Sequence, residues 1–338
     1  MIYEYHLLFT TPVHFGLEAI GQERIDHLVR SDTLWGAIIQ QWMLLYNDDP
    51  EELCLNTPFA VSSCFPLING VAFYPLPFGS LDQLISRAGQ AEKPNISVKD
   101  LKKIRFAAEP LFQKVINGEA LRFDHLKSNA VFPFGEGQQG TIREKRRVYE
   151  IMQRPRLRID PLSGGSTEGA FFYCSDQYFS HSNGLFFLAT FRNNETKKCF
   201  DAALRLLGDT GLGADRSIGR GLFSFETKKC EISDNPSSDH YLLLSLYHPT
   251  NKEVMQGILD MPGTAYSLTK RSGHAASLPV SNFRRYDIWM LEEGSVFRIK
   301  PTGDTVCVLE KSEQISHNVY RCGQAFCISI QPTHFDMV

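Results

Sequence analysis

Residues 211–221 read Gly-Leu-Gly-Ala-Asp-Arg-Ser-Ile-Gly-Arg-Gly, with four glycines and two arginines in eleven residues. Glycine adopts positive φ without a steric penalty and lets a ligand approach the backbone amides closely. Arginine adds planar, charged hydrogen-bond donors that suit phosphate. This stretch, the glycine loop, therefore predicts a loop that binds an anion. The alternative is a tight turn whose charges are incidental.

The sequence on either side predicts a helix before the glycine loop and a strand after it. Apolar residues at i, i+3, i+4 and i+7 indicate the helix, and these are Phe200, Ala203, Leu204 and Leu207. A short apolar run over residues 222–225 indicates the strand. The phosphate loops of Rossmann and P-loop enzymes instead follow a strand and begin a helix.

The spacing within the loop also excludes both nucleotide-binding motifs. Arg216 stands where the third glycine of GxGxxG would be, and Gly219 is followed by Arg220 and Gly221 rather than by the lysine of a P-loop. A nucleotide-dependent enzyme is therefore not expected.

The remaining patterns predict an α+β fold. Residues 2–9 alternate as a half-buried strand does, Ser31-Asp32 is a good N-cap for the helix that follows, and residues 59–78 suggest a hairpin. A strand at 185–190 precedes the helix, glycine loop and strand described above. This order of elements matches a ferredoxin-like βαββαβ unit with insertions.

The length of 338 residues and a polar stretch at 233–239 predict two domains. The first covers residues 1–232, and the second, which is smaller, β-rich and also ferredoxin-like, covers residues 233–338. The sequence has no apolar run of 18 residues, no signal peptide and no Cys-x-x-Cys spacing. We therefore expect a cytoplasmic protein with reduced cysteines, no metal site and no cofactor.

Positive charge is concentrated at one place in an otherwise acidic chain. The formal net charge is −3, but residues 143–158 contain seven basic and two acidic residues. This segment carries +5, which leaves −8 for the rest of the chain. Such a distribution indicates a polyanionic partner that binds locally.

Part of this segment predicts a β-hairpin. Residues 154–159 read Arg-Pro-Arg-Leu-Arg-Ile and alternate strictly, so a strand there directs its three arginines to one face and its apolar residues to the other. Residues 163–166 are the predicted tip, and residues 170–173 are the returning strand. The arginine face is either a solvated surface or a surface that binds a phosphate backbone.

Several motifs together resemble the RAMP (repeat-associated mysterious protein) family of type III-A CRISPR effectors, and in particular the fourth subunit of the Csm complex. The matching segments run through most of the chain, at residues 11–16, 30–35, 154–156 with 159–160, 211–221, 270–273, 293–297 and 319–323. The glycine loop alone indicates only a RAMP, whereas the Ser-Asp-Thr helix start at residue 31 and the turn at 293–297 indicate this subunit. Two positions depart from the family pattern: Cys322 replaces an aromatic residue and Arg220 replaces a lysine.

The resemblance implies two ferredoxin-like domains and an inserted hairpin, the thumb, at about residues 143–172. It implies a non-catalytic, RNA-binding subunit that binds the 5′ handle of a CRISPR RNA and caps one end of the effector. It also implies that the subunit bridges a large polymerase-like subunit to the repeating backbone subunit in antiviral defence. The residues expected to contact RNA are His14, Ser31, Arg154, Arg156, Arg158, Gly211, Gly213, Arg216, Ser217, Gly219, Arg220, Gly221 and Arg271.

Two other functions stay open. One is a metal-independent endoribonuclease that processes CRISPR repeat RNA, with His14 or His27 as the general base. A lone histidine is more often structural than catalytic, however, and the spacing places no His, Tyr and Lys set together. The other is the equivalent subunit of a type III-B complex. Asp215 is expected to cap the glycine loop or to pair with an arginine, because a carboxylate facing phosphate would repel it.

Overall fold

The computed structural model describes residues 1–16, 26, 28–87, 98–126, 129–133, 149–232, 238–275 and 283–331. Its strands are β1 (Ile2–Phe9), β2 (Phe59–Val61), β3 (Phe65–Ile68), β4 (Val71–Pro75), β5 (Phe106–Ala108), β6 (Val131–Phe132), β7 (Tyr149–Ile159), β8 (Ser166–Phe179), β9 (Gly184–Phe191), β10 (Phe223–Lys229), β11 (His240–Leu243), β12 (Leu268–Arg271), β13 (Ile288–Leu291), β14 (Val296–Phe297), β15 (Thr305–Leu309), β16 (Val319–Cys322) and β17 (Cys327–Ile330). Its helices are α1 (Ser31–Leu45), α2 (Pro50–Leu55), α3 (Asp82–Arg87), α4 (Val98–Leu101), α5 (Glu109–Ile116), α6 (Asn194–Thr210) and α7 (Asn251–Met255), with 3-10 turns at Phe123–His125 and Arg216–Ile218.

The largest sheet is antiparallel and has the strand order β10-β1-β9-β3-β4-β5-β6, with β2 also paired to β9. Along the chain, β1 leads to α1, then to β3 and β9, and then through α6 and the glycine loop to β10. The predicted mixture of helices and antiparallel strands is confirmed. The order also brings the end of β1 beside the start of β10, so that the glycine loop lies at this end of the sheet.

Each side of the sheet carries its own apolar core. The alternation of β1 places Tyr5 and Leu7 in a core with Trp35 of α1 and Phe200 of α6. The ring of Tyr5 is stacked on Phe187, with 5.1 Å between the ring centroids. The predicted alternation of residues 2–9 is therefore confirmed, because the pleat of a strand separates alternate side chains, but the strand is not half-buried, since Ile2 and Leu8 pack against the second core on its other face.

The second core joins the two halves of the chain. Tyr74 and Phe112 pack there in one cluster with Leu242, Val296 and Ile328 from the C-terminal strands. Those strands form a three-stranded sheet, β14-β11-β17, and two ribbons, β12-β13 and β15-β16. The hairpin of β7 and β8, here called the arginine hairpin, pairs as a separate two-stranded unit.

One local prediction was wrong in detail. Ser31 is the first residue of α1 rather than its N-cap; Arg30 occupies the cap position and makes no side-chain capping bond. Pro110 lies in the first turn of α5, where proline is tolerated because the first turn leaves its amide hydrogens unpaired anyway. The predicted linker at 233–239 falls largely on residues 233–237, which lie outside the described residues.

Within the described part of the chain, no helix has both the length and the apolar character needed to cross a membrane.

Candidate nucleic-acid interface

The glycine loop has a backbone that requires glycine at several positions. Gly211 ends α6 with φ 91°, and Gly213, Gly219 and Gly221 have φ of 106°, 78° and 74°. A Cβ added to Gly221 would lie 2.1 Å from the carbonyl oxygen of Leu212, whereas one added to Gly219 would meet nothing within 4 Å. The predicted helix–loop–strand arrangement is confirmed, and the glycines allow the loop to fold tightly against itself.

Many of the loop amides bond within the protein. The amide of Leu212 donates to the carbonyl of Gly221, and that of Gly221 donates to the carbonyl of Pro12, both at 2.9 Å. The amide of Ala214 donates to the carbonyl of His14, also at 2.9 Å. Glycine would let a ligand approach these amides closely, but several of them instead fix the loop against the end of β1. Side chains must therefore supply much of any ligand contact.

The arginine hairpin is anchored at the same place. Val13 and Gln177 form an isolated bridge with two 2.9 Å hydrogen bonds, and Nδ1 of His14 donates to the carbonyl of Ser175 at 2.7 Å. His14 is only 4% exposed. In the structure His14 therefore joins the end of β1 to β8, and the RNA contact or general-base role suggested by the sequence stays a prediction. His27 lies outside the described residues.

Ion pairs join the hairpin to the glycine loop. The guanidinium of Arg220 pairs with the fully buried Asp176 of β8, and Arg156 of β7 pairs with Asp215 of the loop at 2.8 Å. The predicted pairing of Asp215 with an arginine is confirmed. Burial lowers the pKa of Arg220, and its repulsion by Arg156 acts in the same direction. Arg220 is 9% exposed and belongs to this internal pair, and the RNA contact expected of it from the sequence stays a prediction.

The remaining basic side chains face outward. Arg158 is exposed and sits where the pairing of β7 and β8 shifts register. Arg154 keeps about half of its side chain exposed, 3.6 Å from Asp176 and with its guanidinium over the ring of Tyr178. Arg216 extends from the loop to Oε1 of Gln40 on α1, at 3.3 Å. Among the described residues of this surface, these side chains and the exposed Ser217 beside them are available to an anion.

The opposite face of the hairpin is apolar and exposed. Leu157, Ile159, Phe171 and Tyr173 keep 42–59% of their surface accessible, although side chains of this kind are usually buried. The rings of Phe171 and Tyr173 meet edge to face, with 5.2 Å between the centroids. Sequence reasoning placed Leu157 and Ile159 on this face but missed the two aromatic residues. A hairpin that pairs Leu157 with Phe171 places both rings on the same face as Leu157, so assigning this register would have identified the two aromatic residues.

Ser31 and Arg271, also expected to contact RNA, lie together at the N-terminal end of α1. The hydroxyl of Ser31 accepts from the amide of Leu246 at 2.9 Å, and Arg271 donates twice to Asp32 at 3.0 Å. Burial alone would raise the pKa of Asp32, but Arg271 and Arg321 hold it at about 2. The hydrogen bond of Ser31 therefore holds α1 against the C-terminal half of the chain. Asp32 partly neutralises the charge of Arg271.

The part of the chain that the structure describes contains no group of three or more histidine, cysteine or acidic side chains that could hold a metal ion. Four further basic residues of the charged segment, Arg143, Lys145, Arg146 and Arg147, lie outside the described residues. All eight cysteines are free thiols.

Comparison with known protein families identifies the family to which the chain belongs. A model of the RAMP superfamily matches residues 6–224, and a model of the CRISPR Csm4 C-terminal domain matches residues 236–330. The chain belongs to the RAMP superfamily, among its Csm4 proteins. The CRISPR system Cms protein Csm4 of Thermococcus onnurineus is 24% identical over 327 residues, which cover 95% of this chain and 98% of the relative. The protein of the same description from Methanocaldococcus jannaschii is 22% identical over 370 residues, with 94% of each chain covered.

Solved Csm4 structures share this RAMP fold. A Csm1-Csm4 cassette in complex with pppApA aligns with a TM-score of 0.61 and 19% identity, over 98% of this chain and 99% of the other. A Csm3-Csm4 subcomplex of a type III-A CRISPR-Cas interference complex aligns with a TM-score of 0.58 and 16% identity, over 98% and 100% of the two chains. A type III-B Cmr-beta structure aligns less closely, with a TM-score of 0.51 and 11% identity, over 87% and 86%.

Proposed function

We propose that the protein is a non-catalytic subunit of a type III-A Csm effector and binds the 5′ handle of the guide RNA. This proposal rests on one observation: the glycine loop, the end of β1 and the arginine hairpin form a single surface. Two ion pairs and the His14–Ser175 hydrogen bond fix this surface, and it still leaves Arg154, Arg158 and Arg216 facing outward.

The chemistry of this surface suits single-stranded RNA. Such RNA is bound by cations along its phosphates and by aromatic side chains that stack on its bases. The arginine face of the hairpin supplies the first kind of contact. Phe171 and Tyr173 on the opposite face supply the second, because both rings are exposed without a ligand. The arginine hairpin would thus bind phosphates with one face, and the rings on its other face would stack on bases and hold them apart.

The buried environment of His14 supports a binding role rather than a cleavage role. A general base must reach the proton that it removes, whereas His14 is buried and its Nδ1 is committed to Ser175. Incubation of the pure protein with labelled repeat RNA distinguishes the two functions. Intact RNA is the expected result. Specific cleavage that disappears in a folded His14→Ala variant would establish the endoribonuclease alternative.

The position of the subunit within an effector is also a proposal. We propose that it bridges the large polymerase-like subunit and the backbone RAMP subunit, and this is supported by the solved Csm1-Csm4 and Csm3-Csm4 assemblies. The closer fit to these structures than to the type III-B one favours type III-A. The β10-β1-β9-β3 strand order supports a ferredoxin-like unit within residues 1–232, and the match of a separate family model to 236–330 supports a second domain at 233–338.

Purification of the tagged protein from its native host, followed by sequencing of the 5′ ends of bound RNA, tests the proposal. We expect RNAs that begin with one repeat-derived sequence, and reduced RNA in a Gly219→Val variant. Gly257→Val is the matched control, because both glycines have positive φ and open space at the Cβ position. If equal amounts of guide RNA co-purify with the two variants, the glycine loop does not contact the RNA. Random 5′ ends in the wild type would overturn handle binding itself.

A further inference from the structure

The ribbon of β12 and β13 carries an exposed apolar face. Lys270 of β12 lies directly opposite Trp289 of β13, and Leu268 is the next residue along β12 on the same face. Trp289 is 60% exposed and Leu268 is 51% exposed, although large apolar side chains are usually buried. Tyr266, which precedes Leu268 by two residues, is also exposed. We call the surface formed by Tyr266, Leu268, Lys270 and Trp289 the Trp289 face.

The opposite face of the ribbon packs against the protein. Met290 is fully buried there, and Arg271 donates to Asp32 of α1 at 3.0 Å. Because alternate side chains of a strand point to opposite faces, the Trp289 face is directed away from these contacts. It is therefore accessible to a partner without a change in the fold.

The outer edge of β12 also has backbone groups available for hydrogen bonding. Leu291, opposite Leu268, exchanges two hydrogen bonds with Tyr247 at 2.8 and 3.1 Å, so its backbone groups point away from β12. In an antiparallel ladder the paired residue points away in the same manner, and so does the residue two positions along, so Leu268 and Lys270 direct their amides and carbonyls away from β13. Among the described residues, no hydrogen bond joins these backbone groups to the rest of the protein. Such an edge can pair with a strand of another chain.

The charges beside this face favour a protein over a nucleic acid as the partner. Lys270 and Arg284 both pair with Asp287, at 2.8 and 3.1 Å. Asp287 would repel a phosphate, and it already pairs with both cations. Two cations share one carboxylate, however, so one positive charge is left over, and an acidic side chain of a partner would balance it. A polypeptide segment with apolar residues and an acidic residue matches this surface.

We propose that an extended segment of a partner protein binds along β12 as an added strand. Its backbone bonds to the outward groups of Leu268 and Lys270, its apolar side chains cover Trp289, and its acidic side chain pairs with Lys270. An exposed tryptophan within an apolar patch is typical of the residues that dominate protein interfaces. The inference rests on the proposed place of the protein in a Csm effector, because another subunit of that effector supplies the segment.

Binding of the full-length protein to the purified large subunit and, separately, to the purified backbone subunit of the same complex tests the inference. Trp289→Ala removes the central side chain, and the fold should be unaffected because this side chain is exposed. Leu44→Ala, at an exposed position on α1, is the control for loss of an exposed apolar side chain. Leu268→Pro removes the outward amide without breaking the pairing with β13, and Leu268→Ala is its matched control.

We expect Trp289→Ala to weaken binding to one of the two subunits by about tenfold or more, while Leu44→Ala binds as the wild type does. Leu268→Pro should weaken the same interaction more than Leu268→Ala does. RNA affinity should stay at the wild-type level in all four variants. If Trp289→Ala and Leu268→Pro bind both subunits normally, the docking surface is refuted and the proposed function stands. A wild type that binds neither subunit would refute both this inference and the proposed position in the effector.

Two further measurements identify other occupants of the Trp289 face. If Trp289→Ala weakens RNA binding while both subunits bind normally, the face binds RNA. If sedimentation shows a wild-type dimer that Trp289→Ala dissociates, and subunit binding is unchanged, the face binds a second copy of the chain. Either result would overturn the inference.

Discussion

Substitution of alanine at two positions of the glycine loop should have very different effects on folding stability. Gly219 and Gly221 both have φ near 75°, so each alanine incurs the cost of a left-handed backbone, about 1–2 kcal/mol. At Gly219 this is the only cost, because the new Cβ enters open space. Gly219→Ala should therefore lower the free energy of unfolding by about 1 kcal/mol.

At Gly221 the new Cβ would lie 2.1 Å from the carbonyl oxygen of Leu212 and 2.8 Å from its amide nitrogen. Ordinary contact begins near 3.4 Å, so the two loop segments must move apart by more than an ångström. That movement breaks the Leu212–Gly221 and Gly221–Pro12 hydrogen bonds, each worth about 1 kcal/mol. Together with the backbone cost, Gly221→Ala should destabilise the protein by about 3–4 kcal/mol.

Equilibrium urea unfolding followed by tryptophan fluorescence measures both changes against the wild type. The m-values should agree, so that the midpoints can be compared. Destabilisation of the two variants to the same extent, or a larger effect at Gly219, would show that the loop is not closed on itself in this way. Gly221 would then not be the glycine that shapes the loop, and Gly219 would not be the one that is open to a ligand.

Three further predictions concern charge and exposed rings. The pKa of Asp32 is held at about 2, against a value near 4 in the unfolded chain, so the ionised carboxylate stabilises the fold above pH 4 and this stability is lost as the pH falls towards 2. The urea midpoint of the wild type should therefore drop between pH 4 and pH 2. A folded Asp32→Asn variant should show a smaller drop over the same range. Asp176→Asn leaves the buried Arg220 without its carboxylate and should cost about 3 kcal/mol in thermal unfolding, with Asp176→Glu costing less; equal melting temperatures would contradict the internal pair. Replacing Phe171 and Tyr173 with alanine should change stability by less than about 1 kcal/mol, since both rings are exposed, but should weaken RNA binding by about 1–3 kcal/mol per stacked base; unchanged affinity would exclude stacking there.

Features with a local cause could be predicted from the sequence. The helix before the glycine loop follows from apolar residues that recur every three or four positions, and α6 does include them. The alternation at 154–159 correctly separates the arginine and apolar faces of β7, because the pleat alone decides this. Ser31 resembled an N-cap only because serine is common there; its hydroxyl instead binds Leu246, which no local pattern reveals.

The sequence indicated that Asp215 pairs with an arginine, but the partners in the ion pairs could not be predicted, because they lie in distant parts of the chain. Arg220 meets Asp176 and Asp32 meets Arg321, the latter across 289 residues of sequence. Only the packed fold shows that Arg220, one of two arginines in the loop, is buried whereas Arg216 is not.

The salt dependence of RNA binding by the full-length protein tests the central claim most directly. Replacing Arg154, Arg156 and Arg158 together with glutamine should weaken binding and reduce the slope of log K against log salt by about 1.4, since the two outward-facing arginines each contribute about 0.7 and Arg156 is already paired with Asp215. Replacing three exposed lysines elsewhere, Lys198, Lys252 and Lys311, is the control for total charge and should leave the slope almost unchanged. A slope that is equal in the hairpin variant and the wild type would contradict the account, because the arginine hairpin would then make no contact with the RNA backbone.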